Sequence, residues 1–160
     1  PLVRHRDTSL EISYDRYGAS EAALGWLNLR AAVANAGSID PNEVALAVLA
    51  RIGRESAERG WDVAHAKIYI VGGLDHAKAS LVDESAEPRL DDRIGSRPET
   101  LEVVLNARIA APATEVERIA RAALHEMIDD PHDRSAPTVT VQQTSAFQPA
   151  YPTPTHRIER

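Results

Sequence analysis

The chain has 160 residues, 43% of them hydrophobic and 26% charged, with a formal net charge of −6 and no cysteine. That length suits one well-buried domain and is short for two. The acidic balance argues against a general nucleic-acid binder, and the lack of cysteine removes disulfides, thiolate metal sites and a cysteine nucleophile.

The chain opens with PLVRHRD, which lacks the apolar centre of a signal peptide, and no later apolar run approaches the ~20 residues of a membrane span. A cytoplasmic protein with no membrane and no nucleic-acid partner is expected. An N-terminal proline such as Pro1 is the base of tautomerase-type enzymes, where a lowered amine pKa serves near neutrality. Those chains start their first strand at the proline, whereas a long stretch intervenes here. Leu10, Ile12 and Tyr14 alternate with Glu11, Ser13 and Asp15, the period of a strand. Residues 1–23 therefore read as an N-terminal strand segment.

GWLNLRAAV (25–33) has strand character and is followed by Asp40-Pro41-Asn42-Glu43, a cap, an N1 proline and a capping-box acid in order. Val44, Val48, Leu49 and Ile52 form the apolar stripe of the helix, and Gly60 can end it. A second strand, HAKIYIV (65–71), runs into YIVGGLDHAKAS (69–80), which has the outline of a phosphate-binding loop, with Gly72 and then Lys78 six residues on. The chemistry fails at Ala77 and Ala79, where a P-loop needs a glycine and a hydroxyl. Gly72 to His76 reads instead as a hairpin turn, with 77–82 as an extra edge strand. Residues 83–99 are charged and contain proline, and are expected to form a mobile surface loop.

VVLNARIAA (103–111) then repeats the first strand. Leu27 matches Leu105, Asn28 matches Asn106 and Arg30 matches Arg108, each 78 residues apart. Thr114-Glu115-Val116-Glu117 offers a second capping box. Val116, Ile119, Ala120, Ala123, Leu124 and Met127 form the second stripe, which Pro131 ends. TVTVQQT (138–144) is the last strand, and the proline-rich end, 148–160, is expected to lie extended. Two β-α-β units joined by a hairpin predict an α+β fold of ferredoxin-like type over 24–147, an antiparallel sheet with both helices on one face.

Period-2 alternation assigns the faces. Leu27, Leu29, Ala31 and Val33, with Val103, Leu105, Ala107 and Ile109, must face the helices. Asn28, Arg30, Asn106 and Arg108 then fall on the open face, extended by His65, Lys67 and Tyr69. Solvation alone accounts for a polar open face. The sharper reading is a docking surface for an acidic partner, a second copy of the chain or a small anion. Separately, His125, Asp129 and His132 in HEMIDDPHDR (125–134) have spacing that can bind a divalent metal, although a polar turn ahead of Pro131 has the same composition.

The run Gly18-Ala19 with LGWLN (24–28), together with AHAKIYI (64–70), LEVVLNARI (101–109) and PTHRI (154–158), resembles the C-terminal region of CobW-like P-loop GTPases, the cobalamin-synthesis and metal-chaperone family. The chain has no P-loop, no guanine-reading N-K-x-D and no cysteine, so no catalytic residue is carried over. The resemblance implies a non-enzymatic accessory domain whose partner is a P-loop GTPase domain or a client metalloprotein. GTP and a divalent metal would act only through that partner, with no cofactor in this chain. A self-associating chain, or a stand-alone binder of a small molecule or metal, is the alternative.

Overall fold

The computed structural model describes residues 22–150. The strand expected at 10–14, Pro1 and PTHRI lie outside the described residues. Six strands form one antiparallel sheet: β1 (Gly25–Ala34), β2 (Val63–Gly72), β3 (Asp75–Leu81), β4 (Arg89–Asp92), β5 (Leu101–Ile109) and β6 (Thr138–Phe147). Their spatial order is β4-β3-β2-β5-β1-β6. Without β3 and β4 the order is that of the ferredoxin-like fold, so the hairpin and its neighbour are an addition at the β2 edge.

Two helices, α1 (Pro41–Glu58) and α2 (Ala113–Ile128), cover one face. α1 packs mainly on β2 and β3, and α2 on β1 and β6. Their apolar stripes meet the expected strand residues: Val48, Leu49, Ile52, Val116, Ile119 and Leu124 are buried with Leu27, Leu29, Ile68, Ile70 and Leu105. α1 starts as its sequence requires, with the Asp40 carboxylate accepting from the Asn42 N–H at 2.9 Å. It is followed by Gly60 at φ 68°, a left-handed conformation that glycine adopts without strain. α2 departs from its expected capping box. Pro112 stands at the cap, Thr114 lies exposed in the first turn, and Glu117 pairs with Arg121 at 2.8 Å. The orphan Ala113 N–H is taken up by the Gln148 side-chain oxygen at 3.4 Å, a partner 35 residues away that local spacing cannot reveal.

The β2–β3 turn is tighter than expected: Gly72 pairs with Asp75, leaving only Gly73 and Leu74 between strands. Gly73, at φ 64°, supplies the positive dihedral that such a two-residue connection needs. The segment 83–99 is not all loop, contrary to expectation, but contains a strand and a buried residue. Residues 89–92 form β4 on β3, Ile94 is buried in the core, and the Asn42 side chain clamps the Ile94 backbone through two bonds of 2.9 Å. Its charge density hid one apolar anchor, and Asn42 satisfies that anchor's backbone where water cannot reach.

The duplication extends well beyond L-N-x-R. Asn28 pairs with Asn106, and an axis between them carries the β1–β5 pairs from Gly25–Ile109 to Ala31–Val103 onto one another by a shift of 78 residues. The flanking strands obey the same shift: Lys67 pairs with Asn106 and Ser145 with Asn28, while Tyr69 pairs with Val104 and Phe147 with Trp26. Even the irregularities repeat. An extra residue, Ala64, interrupts β2 opposite Ile109 and Arg108, and Gln142 interrupts β6 opposite Ala31 and Arg30. A bulge reverses the alternation behind it. Val63 is thereby buried while His65, only two residues on, reaches the open face.

Candidate functional site

The helix-free face carries the polar residues that alternation assigned to it. Asn28, Arg30, Lys67 and Tyr69 are exposed, and His65, Asn106 and Arg108 are half-buried. The two asparagines are direct cross-strand partners. The two arginines do not meet, because each lies two residues beyond the axis in opposite directions, opposite Val104 and Trp26 respectively.

Their surroundings differ. Arg30 stands 3.7 Å from the Glu102 carboxylate, and both side chains are more than half exposed, a pairing worth about 0–1 kcal/mol. Arg108 lies over the Trp26 ring, its Cζ 3.6 Å from the centroid. Phe147 packs on the same indole at 5.7 Å between centroids, tilted by 46°. A guanidinium held over an aromatic face can still offer its N–H donors to a planar acceptor. Trp26, Phe147, Arg108, Lys67, Asn28 and Asn106, together with His65, line a depression of about 350 Å³ on the sheet, and among the described residues no carboxylate is in its lining. The Trp26 indole N–H is buried and has no hydrogen-bond partner among the described residues.

Tyr69, 37% exposed, stands apart from this depression and stacks on His76 at 4.8 Å. Sequence reasoning placed the polar residues but missed the aromatic platform. The signal existed in Phe147, which stands 78 residues after Tyr69 and so occupies the equivalent position, but β6 otherwise keeps too little of the β2 sequence for the repeat to be legible there.

The His125 cluster resolves into local bonds. His125 Nδ1 meets Asp129 Oδ2 at 2.5 Å, and the other Asp129 oxygen accepts from the Val139 N–H at 2.7 Å. His132 is not drawn in: its backbone N–H donates to Asp130, as the Ser135 N–H does to Asp133. These are successive side-chain turns of the kind Asp favours. Asp129 thus latches the end of α2 to the start of β6. Among the described residues no group of three or more His, Cys, Asp or Glu is placed to hold a metal ion.

On the opposite side of the molecule, Glu55 gathers Arg51, Arg59 and Arg118 at 2.8, 3.1 and 2.8 Å. The hydrogen bond from Arg118, followed by that from Arg51, holds its carboxyl below the usual carboxylate range against the opposing effect of burial. Because Arg118 belongs to α2, this carboxylate ties the two helices together. Among the described residues no helix is long and apolar enough to cross a membrane. No protein-family model, no curated protein and no solved structure matches the chain.

Proposed function

We propose that the chain is a non-enzymatic interaction domain that receives a protein partner on its open sheet face, through Asn28, Arg30, His65, Lys67, Tyr69, Asn106 and Arg108. The observation that carries this reading is the composition of the uncovered face. In a chain of net charge −6 it assembles arginine, lysine, amides and the aromatic rings of Trp26, Tyr69 and Phe147 on one helix-free surface. Aromatic residues and arginine are the types enriched at protein interfaces and at their energetic centres. The resemblance of LGWLN and LEVVLNARI to CobW-like sequences supports a P-loop GTPase, or its client metalloprotein, as that partner, with cytoplasmic metal or cobalamin metabolism as the setting.

The test is capture of the tagged chain from its native cell, read by mass spectrometry, beside the double variant R30E/R108E. Recovery of a P-loop GTPase with the parent chain and its loss with the variant is the expected result. Undiminished capture by the variant would remove the open face from the contact. A second reading, a stand-alone small-molecule binder, is favoured by one observation, the depression of about 350 Å³, whose size falls within the range of ligand pockets.

A further inference from the structure

The internal duplication lets the molecule serve as its own comparison, because each open-face residue of one half has a counterpart in the other. The two halves agree at Asn28 and Asn106 and at Arg30 and Arg108, and differ around them. Where the first half has Trp26, the second has Val104, and where β2 carries Lys67, β6 carries Ser145. Arg30 has taken a carboxylate neighbour, Glu102. Its counterpart Arg108 has none: among the described residues it makes no ion pair, and its one recorded contact is the indole beneath it. The side chains of Lys67, Asn28 and Asn106 likewise make no hydrogen bond among the described residues. Among the described residues, two cations, two amides and an indole N–H without a partner therefore surround one depression whose lining holds no acidic group.

We propose that this depression receives a carboxylate side chain from an acidic segment of the partner protein, with Arg108 as its bidentate anchor. The inference rests on the open face being the contact surface. Charge complementarity selects the occupant, since clustered donors without acceptors are satisfied by an oxyanion. Shape selects a polypeptide. The depression is a dish on an open sheet rather than an enclosed cavity, so it can take the end of a side chain while the neighbouring sheet face takes the rest of the segment. The Trp26 ring beneath Arg108 restrains the guanidinium before binding, which spares part of the ordering that an arginine without such a support would undergo. Lys67 adds a second charge, and the amides of Asn28 and Asn106 complete the recognition of the two carboxylate oxygens.

Binding is read by Trp26 fluorescence in a W61F background, where Trp26 is the sole tryptophan of the chain. The probes are an acetylated, amidated glutamate-rich peptide, its glutamine counterpart and free glutarate. We expect saturable binding of the glutamate peptide that weakens as salt rises, and no response to the glutamine peptide. R108Q should weaken binding by about tenfold or more, and R30Q by distinctly less, because Arg30 lies outside the depression and already pairs with Glu102. Equal loss in R30Q, equal binding of the glutamine peptide, or no saturable response into the millimolar range would each overturn the proposal. Glutarate binding as tightly as the peptide would also overturn it, by making the depression a small-molecule site. Failure here is separable from failure of the interaction reading: capture of a partner that depends on Arg108 while the glutamate peptide fails would leave the face as a contact and remove only the carboxylate.

Discussion

Replacing Glu55 by glutamine tests whether one carboxylate joins the two helices. The Glu55 side chain is only 9% exposed and accepts from three arginines at 2.8–3.1 Å. A hydrogen bond to a charged group contributes roughly 1.5–3 kcal/mol when well shielded. Arg59 and Arg118 are each 44% exposed, so water replaces much of what they lose, and Arg51 keeps Glu126 as a second partner at 2.7 Å. Glutamine also retains one acceptor oxygen. The expected loss is therefore about 1–2 kcal/mol, far below the sum of three shielded bonds. For a domain of this size that lowers Tm by about 3–6 °C.

Acid supplies the control for this variant. The folded-state pKa of Glu55 lies below its ordinary value of 4.5, chiefly through the Arg118 hydrogen bond. A depressed carboxylate pKa contributes stability above the unfolded value and loses it as pH falls through the folded value. The gap between parent and E55Q should be constant near neutrality and close as pH falls below 4.5. Urea titrations of both proteins across that range measure it. A gap that persists in acid would mean that shape and not charge is responsible, and a gap under about 0.5 kcal/mol at neutral pH would refute the cross-helix role.

Two further substitutions probe features on which the sheet depends. Gly25 sits where an added Cβ would come within 2.5 Å of the Ala111 carbonyl oxygen and 3.0 Å of the Ala113 Cα. G25A should destabilise by about 1–3 kcal/mol in thermal or urea unfolding; a neutral result would mean that the β5–α2 connection yields easily. Asn42→Ala removes both bonds that hold Ile94, leaving a buried N–H and C=O without partners, and should cost about 2–4 kcal/mol. Hydrogen exchange should then show residues 93–96 opening before the sheet does, and unchanged protection there would remove the clamp from the account.

The Gly25 contact also changes how LGWLN is read. Its glycine is a packing residue that lets β1 lie against the start of α2, Leu27 is core, and Trp26 and Asn28 turn to the open face. One short run thus carries a backbone approach, a core contact and two residues of the candidate site. Only alternation along the strand was legible beforehand, and it separated Leu27 from Asn28 without showing what Gly25 touches.

The periodic signals by themselves determined the ferredoxin-like α+β fold, the helix stripes and the polar open face, because each depends on residues within a few positions of one another. The duplication of L-N-x-R marked two equivalent strands, which the structure pairs at Asn28 and Asn106. Only the tertiary structure decided what depends on distant partners: Gln148 as the acceptor at the start of α2, Asn42 as the clamp on Ile94, Asp129 spent on His125 and β6 rather than gathered with His132. The contrast between the two arginines belongs there as well. The repeat presents Arg30 and Arg108 as equals, and they become different only when strand pairing sets Trp26 beneath one and folding brings Glu102 beside the other. Side-chain period is a property of a strand, whereas a site is made by the strands on either side of it.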